Sequence, residues 1–171
     1  MQDVSGRSGP IAYPYWVSIL LSWSETFSVG HSGLDSEHRA LIDAICAVAS
    51  ANDEAFRREL LNSVIELGQA HIAHENAVLH AISGIDAVAR SRCSVLGDGQ
   101  LAAAEHIRDH EHVAETLRSL ARDTDKMKSS RALYETLCHW FVSHAVKHDA
   151  QLKMLLQAIT RDCPDVLREL T

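Results

Sequence analysis

Residues 103–120 read AAEHIRDHEHVAETLRSL and carry the pattern that decides the fold. Inward positions recur at spacings of three and four without a break, as they do at the seam of a helical bundle. These positions are Ala103, His106, His110, Val113, Leu117 and Leu120. The stretch predicts an amphipathic helix that places histidine where an apolar core residue is expected.

Three further stripes with helical spacing lie on either side of this one. Helix one is predicted over about 36–50, after the start signature Asp35-Ser36-Glu37, with inward positions Leu34, His38, Leu41, Ile45 and Val48. Helix two begins at Asn52-Asp53 and ends near Ser83-Gly84, with Leu60, Val64, Leu67, His71, Glu75, Val78 and Ile82 inward. Helix four carries Leu133, Leu137, Trp140, His144, Leu152, Leu155 and Ile159. Four such helices predict an all-α, up-down-up-down four-helix bundle.

The segments outside the stripes divide the chain into an N-terminal arm (1–22), a bundle (23–160) and a tail or linker start (161–171). A long connection over 83–99 joins helices two and three and has room for a short helix around 85–90. The apolar run from Ile11 to Trp23 contains Pro14 and is shorter than the roughly 20 residues that a membrane span needs. No membrane role is therefore expected.

Composition limits the classes of function. The chain has 171 residues, 46% of them apolar, which is enough for one domain with a core. A net charge of −7 without a Lys/Arg block argues against a nucleic-acid partner, because such binding depends on clustered cations. The cysteines are widely spaced and form no C-x-x-C pair, which favours reduced thiols in a cytoplasmic protein: Cys46, Cys93, Cys138 and Cys163.

Histidine is the unusual residue, with eleven in the chain. Five of them occupy inward stripes: His38, His71, His106, His110 and His144. Burying five imidazoles and two carboxylates without partners would cost several kcal/mol per group, which in total is more than the marginal stability of a domain could absorb. His71 with Glu75, and His106 with His110, are i, i+4 pairs whose side chains lie about 40° apart on a helix. The set suits two ions of iron, manganese or zinc.

Four ordered motifs carry a family resemblance. D35-S-E-H38, H71-I-A-H-E75, H106-I-R-D-H110 and H144-A-V-K-H-D149 resemble those of the hemerythrin family. The likeness includes the lead-in W23-S-E-T-F27-S-V-G30 and the stretch W140-F-V-S-H144, and it spans about Trp23 to Leu155. The resemblance implies a bundle that holds two iron ions, cycling between Fe2+ and Fe3+, with an oxo or hydroxo bridge.

Residue by residue, the resemblance implies that one iron is held by His106, His110 and His144, and the other by His38 and His71. Glu75 and Asp149 would bridge them. The second iron is then one ligand short, and dioxygen would bind at that open position. The resemblance also implies an apolar oxygen pocket lined by Leu41, Ile72, Trp140, Phe141 and Ala145. Family members commonly carry a larger aliphatic residue where this chain has Ala145.

The last ligand has a competitor in His148. Asp149 is five residues from His144, about 140° around an ideal helix, whereas His148 is four residues away and better placed. Spacing alone favours His148. Charge favours Asp149, because two buried ferric ions need anionic bridges, and a local widening of the helix could bring it inward. With the resemblance added, Asp149 is the predicted ligand.

Three classes of function remain. The default for a single domain is an oxygen carrier, store or delivery protein, with no catalytic residues and dioxygen as the partner. The arm, the connection and the tail favour an oxygen or redox sensor that acts on a signalling partner or a fused output domain. The third class comprises peroxide or nitric oxide chemistry and iron handling. The E-x-x-H pair of ferritin-like bundles and the H-E-x-x-H helix of metalloproteases do not occur in the sequence, which disfavours an oxygenase or hydrolase.

Overall fold

The computed structural model of the chain describes residues 21–85, 95–123 and 129–164. A short 3-10 turn, Glu25–Phe27, is followed by α1 (Ser32–Ala49), α2 (Glu54–Ser83) and α3 (Val95–Arg122). The last long helical run consists of α4 (Ser130–His144), a π-helical turn (Ala145–Asp149) and α5 (Ala150–Asp162). The predicted all-α four-helix bundle is confirmed.

The helices run in the predicted up-down-up-down order, as their core residues show. One apolar cluster contains Leu34 of α1 and Leu79 of α2, and the other contains Ile45 of α1 and Leu61 of α2. Along α1 the chain therefore passes from the first cluster to the second, and along α2 it returns. The same alternation continues through α3 and through α4 and α5.

The predicted metal ligands lie between these two apolar clusters at the same level in every helix. On α1, His38 lies between Leu34 in one cluster and Leu41 in the other. On α3, His106 and His110 follow Ala103 and precede Val113 in the same way. Because apolar side chains pack above and below, the polar layer is closed off from water along the bundle axis. The fold thus places the ligands in a buried layer of its core.

Helix α1 begins earlier than predicted. Its N-cap is His31, whose Nδ1 accepts a hydrogen bond from the Leu34 amide at 3.3 Å. The expected cap, Asp35, lies inside the first turn, where its carboxylate accepts from the Ser28 hydroxyl and the Val29 amide at 2.7 and 2.8 Å. The prediction of a start at 36 was wrong because Asp35 anchors the incoming segment instead of capping the helix. Asp53 does cap α2, as predicted, and accepts from the Phe56 amide.

The connection between α2 and α3 is shorter than predicted, because α3 already begins at Val95. The short helix suggested around 85–90 lies outside the described residues from 86 onward. Most stripe positions are buried, but five are only partly so: Leu60, Leu67, Val78, Trp140 and Leu155. On α2 the residues buried instead are Leu61, Gly68 and Leu79. Each lies one position after a predicted inward residue.

Two other predictions concern the chain's environment. In the parts of the chain that the structure describes, no helix combines the length and apolar character that a membrane crossing requires. Cys46 and Cys138 are free, as expected, but Cys163 is disulfide-bonded. The prediction of uniformly reduced thiols was therefore wrong at Cys163, since spacing along the sequence does not show which cysteines the fold brings together.

Candidate metal centre

The structure brings the seven predicted ligands into two groups, in each of which the ligand atoms lie within 4.8 Å of one another. Every one of the seven side chains belongs to a residue that is at most 6% exposed. The larger group is Glu75, His106, His110 and His144, and the smaller is His38, His71 and Asp149. The two groups therefore offer three and two imidazoles respectively, each with one carboxylate.

Asp149 reaches the centre because the last helical run widens over Ala145–Asp149. This turn is π-helical, and the Ala150 amide donates to the Ala145 carbonyl five residues back. A π turn moves a residue at i+5 toward the face of residue i. Asp149 Oδ1 accordingly lies 3.1 Å from His144 Nε2. The expected widening is confirmed, and it removes the geometric objection to Asp149.

The two oxygens of Asp149 face different groups. Oδ2 lies 3.2 Å from His38 Nε2, and Oδ1 lies 3.3 Å from His106 Nε2. Neither oxygen has a hydrogen bond to any part of the chain that the structure describes. A carboxylate in this position can give one oxygen to each of two cations. Asp149 would therefore be able to offer an oxygen to a cation in either group.

Glu75 occupies the other shared position. Its Oε2 lies 3.1 Å from His110 Nε2 and 3.5 Å from His106 Nε2 in the larger group. The same oxygen is 3.4 Å from His71 Nε2 in the smaller group. Glu75 Oε1 is buried and makes no hydrogen bond to the described residues. A buried carboxylate oxygen without a partner is costly, and a cation would satisfy it.

The histidine rings are oriented by hydrogen bonds on their outer nitrogens. His38 Nδ1 donates to the Phe27 carbonyl at 2.7 Å, and His110 Nδ1 contacts Asn76 Oδ1 at 2.7 Å. Two carboxylates do the same elsewhere: Glu37 accepts from His71 Nδ1 at 3.1 Å, and Asp109 accepts from His144 Nδ1 at 3.2 Å. A proton held on Nδ1 leaves the lone pair on Nε2, which is the form that binds metals.

The inward nitrogens are placed as ligands rather than as hydrogen-bond partners of one another. His38 Nε2 lies 3.2 Å from His71 Nε2, and both rings have a bonded Nδ1. In their neutral forms the two rings would therefore point lone pairs at each other. Only a shared positive charge makes that contact favourable. The residues fit a bound cation, and their nitrogen and carboxylate atoms suit iron, manganese or zinc.

Without metal, protons supply this positive charge. Burial lowers the pKa of His71, but hydrogen bonds to Glu37 and Glu75 outweigh it and raise this pKa to about 9. Burial likewise opposes the charged form of His144, yet Asp149 and Glu75 raise its pKa to about 10. Burial alone would raise the pKa of Asp149, but the neighbouring imidazoles hold it well below its usual range. The two buried carboxylates thus favour the protonated form of these two imidazoles.

Of the five residues predicted to line the oxygen pocket, Phe141 contacts the smaller group. Phe141 places its ring edge-on to His38, with centroids 5.5 Å apart. Leu41, Phe141 and Ala145 are buried, whereas Ile72 and Trp140 are partly exposed and pack against the core. Trp140 also lines a cleft of about 280 Å³ that reaches His144. The ring of Phe141 therefore gives the side toward His38 an apolar wall.

The residues that orient the ligands are not among the predicted site residues. Glu37 and Asp109 directly precede His38 and His110, so a carboxylate beside a predicted ligand was an available signal. Each of them contacts a ligand on another helix, however, which the local pattern does not reveal. Glu37 also contacts a residue outside the two groups, since His74 Nδ1 lies 2.7 Å from its carboxylate.

Comparison with known proteins is consistent with this geometry. A family model described as the hemerythrin HHE cation binding domain matches residues 29–156. That range begins just before α1, ends within α5 and contains all seven residues of the two groups. Searches of curated proteins and of solved structures found no significant match.

Proposed function

Because the chain belongs to the hemerythrin family of cation-binding domains, we propose that its two ligand groups bind two iron ions and, through them, dioxygen reversibly. The proposed ligands are the seven residues of the two groups. In this proposal the protein is a carrier, store or delivery protein for oxygen, not an enzyme. Bound iron would supply the electrons that hold dioxygen at the centre.

The observation that carries the proposal is the inequality of the two groups. The larger group has three imidazoles and the smaller has only His38 and His71. With Glu75 and Asp149 shared, an ion in the smaller group would have one protein ligand fewer. An incomplete ligand set beside an apolar wall is what a small uncharged ligand needs in order to enter and leave.

The surroundings favour binding over turnover. Phe141 is 3% exposed and its ring lies against His38, so it shields that side of the smaller group from water. The outer nitrogen of His71 is held by Glu37, which fixes the ring and limits its motion. Excluding water and free proton donors from a bound oxygen molecule slows its irreversible loss. These residues therefore support reversible binding.

The test is metal content together with an absorption spectrum, recorded in air and again after anaerobic reduction and re-exposure to oxygen. We expect two irons per chain, near-ultraviolet bands from an oxo or hydroxo bridge, and a visible band that appears with oxygen and disappears when oxygen is removed. A spectrum that oxygen leaves unchanged would overturn the proposal. Steady turnover of peroxide or nitric oxide would replace it with an enzymatic function.

A prediction follows from Ala145, which is 1% exposed and begins the π turn. A methyl group leaves more room beside the centre than a longer aliphatic chain would. We expect Ala145→Ile to slow decay of the oxygenated form, measured by stopped-flow absorption after mixing reduced protein with oxygen. Equal decay rates in the two proteins would contradict the prediction. Metal content and melting temperature of the variant show whether the larger side chain is accommodated.

One contact favours an oxygen or redox sensor as the second candidate. His38 Nδ1 donates to the carbonyl of Phe27, in the 3-10 turn that precedes α1. The same N-terminal segment is held by Lys153 of α5, which donates to the Glu25 carbonyl at 3.0 Å. A change at His38 on oxygen binding would reach this turn directly. Oxygen-dependent proteolysis or hydrogen exchange confined to residues 21–30 would support the sensor.

A further inference from the structure

His148 lies outside the two ligand groups but has an unusual environment. It is 6% exposed, and its ring stacks on that of His106 with centroids 5.1 Å apart. Its Nε2 is buried and forms no hydrogen bond with the described residues, although Asp109 Oδ2 is only 3.3 Å away. The oxygens of Asp149 show the same pattern beside imidazole nitrogens. Close N and O atoms that do not hydrogen-bond are arranged as two ligands of one cation would be.

A groove of about 440 Å³ opens over this pair and reaches solvent between α3 and α5. Glu105, Asp109 and His112 line it from α3, at positions i, i+4 and i+7, and therefore share one face of that helix. His112 is exposed, so its ring can turn toward the groove without unpacking the core. The groove thus combines imidazole and carboxylate donors on the outside of the bundle.

We propose that His148, Asp109 and His112 form a third metal site, which binds a divalent transition-metal ion such as Fe2+ or Zn2+ exchangeably. Imidazole nitrogen and carboxylate oxygen are the donors that such ions prefer. Glu105 lines the same groove and would be the source of any further oxygen ligand. Asp109 is already oriented by His144 Nδ1, and one hydrogen bond leaves most of its acceptor capacity free.

The charges of the groove make this site exchangeable rather than permanent. Arg108 and Lys147 also line it and offset the two carboxylates Glu105 and Asp109. A cation is therefore held by coordination and gains little from long-range attraction. The site also has few ligands fixed in place, because His112 and Glu105 are exposed. Weak binding with fast release is the expected behaviour.

The position of the groove suggests what the third site does. His148 is in ring contact with His106 and, at 5.6 Å between centroids, with His144, both in the larger ligand group. Asp109 bonds His144 directly. An ion in the groove is thus one side chain away from the buried layer. We infer that metal ions bind first in the groove and then transfer to that layer. This second role rests on the proposed function of the buried groups.

The test uses Co2+ added to the metal-free full chain under nitrogen, with bound metal measured by equilibrium dialysis. We expect two tight equivalents and a third, weaker one. His148→Phe keeps a ring to stack on His106 but has no nitrogen, so it should weaken the third equivalent by at least about tenfold and leave the other two. His139→Phe is the matched control: His139 lines the neighbouring cleft but not the groove, and the variant should keep all three.

A third equivalent that survives in His148→Phe, or its absence from the unmodified chain, would overturn the third site. A different result would show that the buried groups do not bind metal. In that case the two tight equivalents would be missing, while a weak one, sensitive to His148→Phe, remained. The role in metal transfer is tested by the rate at which the two tight sites bind metal. His148→Phe should fill them more slowly than His139→Phe does, and equal rates would overturn that role.

Discussion

Asp149→Asn is expected to lower the affinity for the pair of metal ions by about 100-fold or more. Asp149 places one oxygen toward His38 and the other toward His106 and His144, so both ligand groups lose a negative charge in a layer closed to water. Loss of a residue that merely orients a ligand already costs about 10- to 100-fold in metal affinity. The measurement is a competition titration with a chromophoric chelator, using Co2+ or Zn2+.

The matched control is Asp43→Asn, which removes the same charge from an exposed position of α1. It should bind metal as the unmodified chain does. His148→Phe completes the comparison, because spacing along the helix makes His148 the competing ligand. If Asp149→Asn kept the pair of ions and His148→Phe lost it, the assignment of Asp149 would be wrong. Asparagine fills the space of aspartate, and phenylalanine keeps a ring at position 148. Circular dichroism should therefore show an intact bundle for all three variants.

The second large effect is the stabilisation of the fold by metal. Loading both groups is expected to raise the melting temperature by at least about 10 °C at neutral pH. A single site gives about 4 kcal/mol at a thousand times its Kd, and each kcal/mol shifts Tm by about 2–4 °C in a chain of this size. The measurement is calorimetry of the same preparation before and after chelation. A change below a few degrees would show that the layer is stable without metal.

The difference in melting temperature between metal-loaded and metal-free protein should increase as pH rises from 7 to 10. In the metal-free chain the pKa values of His71 and His144 are raised to about 9 and about 10. Their stabilising contribution is complete below the ordinary pKa of about 6.5 and is lost as pH passes through the raised values. In the loaded protein these rings coordinate as neutral ligands, so no such loss occurs. A difference that decreases over this range would contradict the assignment of protons to the two rings.

Much of the fold was readable in the sequence because helical periodicity is local. Every inward position of α3 from Ala103 to Leu120 is buried as the spacing predicted. The four helices and their order followed from such stripes. The start of α1 was misjudged because Asp35 is a preferred capping residue and His31 is not, and only the contacts of Asp35 with Ser28 and Val29 show that it has a different role.

The disulfide state of the cysteines could not be predicted from the sequence, because it too depends on contacts between distant residues. Cys163 is disulfide-bonded, and that depends on which residues the folded chain brings within bonding distance. The hydrogen bonds that orient His71 and His144 are similar cases. Their partners, Glu37 and Asp109, are 34 and 35 positions away and lie on neighbouring helices.

The sequence by itself determined the helices, the level of the polar layer and the histidines that enter it, because each of these depends on spacing within one helix. The tertiary structure decided which atoms meet across helices. It showed the π turn that carries Asp149 inward, the acceptors that fix each ring, and the placement of His148 against Asp109 in a groove. These features depend on the rotation and axial register of packed helices, and those are set by the side chains of the whole core together.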